Sequence, residues 1–74
     1  MKPNFDDLGL IFRPADGEQL HTLIRLGHAA EAWPVERDGD LARIAFFSAE
    51  DAEIFYDGAI DEGIEFVGTF DGLE

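Results

Sequence analysis

An α+β fold in the order strand, helix, strand, strand, helix, strand is what this 74-residue chain predicts, and three observations predict it. Two segments, from Asp16 and from Ser48, begin with a capping residue and continue with apolar residues at helical spacing. Four shorter segments alternate apolar and other residues, as strands with one buried face do. Arg37-Asp38-Gly39-Asp40 then sets Asp-Gly between two of these segments, the strongest short-range hairpin signal. The length allows one domain, 1–74, close to the lower limit for a core without disulfide or metal support.

Each element follows from its residues. Met1 to Asp7 reads as a loose or partly ordered lead-in, because Pro3 and Asn4 disfavour regular structure. Leu8 to Arg13 is a strand in which Leu8, Leu10 and Phe12 form the better buried face, and Pro14 ends it. Asp16 caps the first helix with Gln19 at the capping-box position, and Leu20, Leu23, Ile24 and Gly27 share a face. The end of this helix is open between Gly27 and Trp33. The stop at Gly27 is preferred because it frees Ala30 to Arg37 to pair across the Asp38-Gly39 turn. That pairing sets Val35 opposite Ala42 and Trp33 opposite Ile44, and Pro34 makes the strand an edge.

Ser48 caps the second helix, whose stripe of Ala52, Phe55, Tyr56 and Ala59 faces the core before Gly63 closes it. Ile64 to Phe70 alternates once more, with Ile64, Phe66 and Phe70 on one side and Glu65, Val67 and Thr69 on the other, and Asp71 to Glu74 is a short acidic tail. The order is that of a ferredoxin-like βαββαβ fold, a four-stranded antiparallel sheet with two helices on one face. Leu8 and Arg43-Ile44 fall on its central strands. Trp33, Ile44, Phe46, Phe55 and Phe66 are the expected core. The second sheet face, with Ile11, Ala45, Phe47 and Val67, is too apolar to stay bare, so a second copy or another partner is expected to cover it.

Charge gives the other expectation. The net charge is −12, and from Ser48 onward there are nine acids and no Lys or Arg, against eight acids and five bases before it. Such a body repels nucleic acid and anionic membranes and suits cationic surfaces, of which the commonest large kind normally holds nucleic acid. On the second helix Glu50, Glu53, Asp57 and Asp61 recur at three, four and four residues, so they form one ridge with neighbours about 5–6 Å apart. No base interrupts the run, and Glu62 and Glu65 are expected to extend it. A duplex strand carries one phosphate per about 3.4 Å, so such a ridge can offer Lys and Arg side chains a comparable array of oxygens.

Catalysis and cofactors find no matching pattern. His21 and His28 stand seven apart without a third ligand at metal spacing and read as surface histidines. Asp38 and Asp40 read as turn residues, because the twelve-residue calcium loop is missing. The acids fall on exposed faces, whereas general acid–base work needs carboxylates with divergent pKa values in a cleft. No base is positioned near Ser48, Thr22 or Thr69. No catalytic residue, metal or cofactor is expected. The lack of cysteine suits a reducing cytoplasm, and MKPNFDDLGLIF lacks the pattern of a signal peptide.

As a profile over the whole chain, the short length, the absence of cysteine, the acidic ridge and the α/β pattern resemble the small phage-encoded anti-CRISPR proteins that imitate DNA, in particular inhibitors of type I surveillance complexes. The resemblance implies a protein acting in the bacterial host cytoplasm on a CRISPR effector, with the carboxylates of Glu50, Glu53, Asp57 and Asp61 standing where phosphates bind. Inhibitors of restriction enzymes, uracil glycosylase or nucleoid proteins share the profile. Two other classes stay open: an interaction module such as an antitoxin or regulatory subunit acting through Ile11, Phe47 and Val67, and a small-ligand sensor at a domain interface.

Overall fold

The structure, a computed structural model, describes residues 2–72. Its elements are β1 (Gly9–Arg13), α1 (Gly17–Ala29), β2 (Glu36–Asp38), β3 (Leu41–Ala45), α2 (Ala49–Asp61) and β4 (Glu65–Thr69), preceded by a 3₁₀ turn at Phe5–Asp7. The strands form one antiparallel sheet in the order β2-β3-β1-β4, with both helices on one face, which is the ferredoxin-like βαββαβ arrangement. The pattern places β1 and β3 at the centre and β2 at an edge, as read from the sequence. Of the acidic tail, Leu73 and Glu74 lie outside the described residues, as does Met1 of the lead-in.

The core lies between sheet and helices. Leu10, Phe12, Ala42, Ile44 and Phe46 from the sheet side meet Leu23 of α1 and Ala52, Phe55 and Ala59 of α2, all buried. Phe55 is central, with its ring 5.7 Å from Phe12 and 5.1 Å from Phe46. Phe66, expected as core, is half-buried at the margin, edge-on to Tyr56 and Phe12. The 3₁₀ turn is capped by Asn4, whose Oδ1 accepts from the Asp6 amide, and is tied to this margin by Phe5 against Tyr56, so the lead-in is ordered by a local cap as well as by packing.

Both helices start as their caps dictate and end in the same motif. Asp16 accepts from the Gln19 amide and Ser48 from the Asp51 amide, while the Gln19 side chain reaches back to the Ala15 amide. At the end of α2, Gly63 (φ +79°) donates to Ile60 and Ile64 donates to Ala59, a Schellman closure. At the end of α1 the same pair of bonds runs from Glu31 to His28 and from Ala32 to Gly27, and the left-handed residue is Glu31, at φ +56°. The stop at Gly27 is thus corrected: α1 runs on to Ala29, Gly27 is a buried interior residue facing Phe55, and a glutamate does what glycine does in α2.

Three further expectations are corrected, each by one backbone feature. The hairpin loop is Gly39-Asp40, not Asp38-Gly39, since Asp38 pairs with Leu41 and Arg37 with Ala42. Positive φ at Gly39 alone suits a glycine at the first loop position. The expected Ala30–Arg37 strand shrinks to Glu36–Asp38, because Schellman closure occupies Ala30 to Ala32 and Pro34 has no amide for the ladder. Trp33 donates one bond to the Ala45 carbonyl, but its ring leaves the core side and stacks 5.1 Å from Phe47, 54% exposed. Trp33 is therefore not a core residue.

The last correction is in β4. Gly68 pairs with Ile11 and Phe66 with Phe12, which leaves Val67 as an extra residue in a bulge. One inserted residue reverses the side of everything after it. Phe70 consequently lies on the open sheet face with the Arg43 guanidinium 4.5 Å from its ring centre, not on the core side with Ile64 and Phe66. Gly9 permits this, since a Cβ there would collide with Phe70.

Candidate functional site

Two surfaces compete as the site, and they lie on opposite sides of the molecule. The first is the outer side of α2. Its inner side is set by Ala52, Phe55 and Ala59 in the core, so the helical period turns Glu50, Glu53, Asp57 and Asp61 outward, and all four are exposed. The expected ridge is brought together by the helix. Its electrostatics differ from expectation in one respect, for a base from the far end of the chain does reach it. Lys2 donates to Glu53 Oε2 at 3.1 Å and to Asp57 Oδ2 at 3.1 Å, with Asp57 Oδ1 at 3.0 Å. These bonds, to Asp57 first and Glu53 second, raise the Lys2 ammonium above its ordinary 10.5. Packing of Phe5 on Tyr56 brings Lys2 there, a juxtaposition across more than fifty residues that local spacing does not reveal.

The two residues expected to extend the ridge divide. Glu62 is the exposed C-cap of α2. Glu65 does not extend the ridge, because it stands on β4 beside Arg13, whose Nη1 donates to it at 2.8 Å while Nε lies 3.2 Å from Asp40. Among the described residues no base lies within ion-pair distance of Glu50, Asp61 or Glu62. The ridge therefore has a Lys-bridged middle and two bare ends. Ile54 and Ile60 are exposed beside it, giving the acids an apolar flank.

No family model, curated protein or solved structure matches this chain.

The second surface is the open sheet face. Ile11 and Ala45 are half-buried there, while Phe47 is 62% and Val67 42% exposed. Trp33, Arg43 and Phe70 join them, residues that sequence reasoning had put elsewhere or left out. Trp33, Arg43, Ala45 and Phe70 line a shallow concavity of ≈740 Å³. Two signals in the sequence point to this arrangement: Pro34 directly after Trp33, and Gly68 inside an otherwise regular strand, where an isolated glycine marks a bulge. His21 and His28 are exposed on α1, as surface histidines. Among the described residues no group of three or more His, Cys, Asp or Glu side chains could hold a metal ion, and no helix is long and apolar enough to cross a membrane.

Proposed function

We propose that this chain is a non-enzymatic acidic binding protein of the bacterial cytoplasm whose α2 ridge imitates nucleic acid and occupies the cationic surface of a nucleic-acid-binding protein or complex. The DNA-binding surface of a type I CRISPR surveillance complex is the first candidate target. The observation that carries the reading is the seat of Lys2. Its ammonium is shared between Glu53 and Asp57, one helical turn apart, so the ridge spacing receives a lysine between successive carboxylates as a target's lysines would require. Both partners are about half exposed. Exposed pairs of this kind contribute little to stability, so a target cation displaces Lys2 at small cost. The charge bias of the second half supplies the long-range attraction that brings such a surface in.

The test is competition. A purified type I surveillance complex is titrated with the protein while its binding of target DNA is followed by mobility shift, at low and high salt. Inhibition should be competitive with DNA, weaken with salt, and vanish in the double variant Glu53→Lys, Asp57→Lys. Inhibition that survives in this variant, with its fold intact by circular dichroism, shows that the ridge is only a solvated face.

A further inference from the structure

We propose that the open sheet face is covered by a second copy of this chain, the two sheets packing face to face about a twofold axis. Three exposed side chains call for a cover, since Trp33, Phe47 and Val67 account for three of the five large apolar residues left exposed among those described. Trp33 and Phe47 are in ring contact, and Ile11 and Ala45 lie on the same face, so apolar side chains gather on one side of the sheet, as at an interaction site.

The charges on the face identify the occupant. Although the chain is at −12, two of its five Lys and Arg residues, Arg13 and Arg43, belong to this face, and acids stand beside them: Glu36 opposite Arg43 across β2 and β3, Asp71 lining the same concavity, and Asp40 and Glu65 around Arg13. A cationic partner of the sort that suits the ridge would meet Arg13 and Arg43 here. Nucleic acid would meet Glu36 and Asp40. A surface of side-by-side opposite signs is complementary to itself after a twofold rotation, in which each residue i of one copy meets j of the other and j meets i.

Two quantities agree with this choice. The molecule measures 28 × 23 × 23 Å, so one broad face spans on the order of 500–600 Å² in projection, comparable to the roughly 800 Å² per partner of a standard interface once side-chain relief is added. The acidic ridge does not oppose the contact either. Face-to-face packing leaves a sheet and a helix about 10–12 Å thick between each ridge and the interface, so the two ridges stand more than about 20 Å apart, against a screening length of about 8 Å in physiological salt. The dimer would present both ridges outward. It does not depend on the ridge reading, and the Glu53→Lys, Asp57→Lys variant retains it.

Light scattering coupled to size exclusion, read together with the emission of the single tryptophan, tests the proposal on the whole chain. The mass should rise from 8.2 kDa toward twice that value with concentration up to about 1 mM. Higher salt should shift the transition to lower concentration, and Trp33 emission should move to shorter wavelength in step as its ring leaves water. Phe47→Asp, at a position whose exposure lets the monomer fold, should stay at 8.2 kDa throughout. A wild type that remains a monomer overturns the proposal, including one that captures a different protein on this face. So does a Phe47→Asp variant that dimerises like wild type, or a dimer in which Trp33 emission does not change.

Discussion

The outer side of α2 and the open face of the sheet are each about one element away from the same core, yet they are built on opposite principles. On α2 the exposed ridge is a line of carboxylates, with one lysine borrowed from the N-terminus and with Ile54 and Ile60 on its flanks. On the sheet the exposed groups are aromatic and aliphatic, with charges of both signs arranged in neighbouring pairs. Charge attraction between exposed groups is screened by salt, whereas apolar burial is not, and salt removes the self-repulsion of a body at −12. The difference teaches that ionic strength is the variable that sorts the two proposals: binding through the ridge should weaken as salt rises, and association through the sheet should strengthen.

The largest effects come from breaking the layer that both surfaces share. Phe55→Ala removes a buried ring that packs against Phe12 and Phe46, and should cost about 3–5 kcal/mol in denaturant unfolding. A 74-residue domain is expected to have roughly 4–11 kcal/mol in all. The neighbouring Ile54, 59% exposed, should lose less than about 1 kcal/mol on truncation to Ala. Equal losses at the two positions would mean that α2 does not have one structural and one free side.

Next in size is the salt response. Between about 50 and 500 mM salt, binding of the wild type to its cationic target should weaken at least tenfold while the dimer tightens. Titrations by isothermal calorimetry for the first and light scattering for the second read the two trends, and trends of the same sign would break the contrast between the surfaces.

The fold was legible because its signals are local. Caps at Asp16 and Ser48, alternation in β1 and β3, and the Gly39 turn each act within a few residues, and together they left one topology. The errors have a common physical form. A single backbone event, the αL conformation at Glu31 or the bulge at Val67, decides where all following residues point, and neither residue type advertises it. The ridge was legible for the same reason as the fold, since a helix converts spacing into a line. Of the sheet face, Ile11, Ala45, Phe47 and Val67 were legible from alternation; Lys2 on the ridge, and Trp33, Arg43 and Phe70 on the sheet face, were not, because their places depend on contacts across the chain or on a single backbone event.

A smaller effect concerns the borrowed lysine. Its ammonium is raised above 10.5 by Asp57 and Glu53, so the clamp is fully formed below that pH and is lost as pH rises through the higher folded value. Stability of the wild type should therefore fall slightly more between neutral pH and pH above 10.5 than that of Lys2→Ala, as thermal unfolding at matched salt would read. In binding, Lys2→Ala should tighten the ridge for its target severalfold, because an internal competitor is gone, and leave dimerisation unchanged. Weaker binding on its removal would mean that Lys2 belongs to the interface instead.

The smallest expected effect separates stability from both surfaces. The two helices close with the same hydrogen bonds, but α2 has Gly63 in the left-handed position and α1 has Glu31. A side chain there costs about 1–2 kcal/mol, part of which glycine returns through the entropy of the unfolded chain, so Glu31→Gly should gain about 0.5–1 kcal/mol. That corresponds to a rise of roughly 2–8 °C in Tm for a domain of this size. Gly27→Ala should add a gain of similar sign, because an added Cβ meets only the Phe55 ring, at 3.9 Å, and alanine suits a helix interior better. Since Ala32 and the Schellman bonds lead directly to Trp33, a firmer cap should leave the Trp33–Phe47 pair in place, with dimer and ridge affinities unchanged. If Glu31→Gly destabilised the protein, or moved Trp33 emission in the dilute monomer, the turn would be holding Trp33 through the glutamate side chain and not through the backbone closure described here.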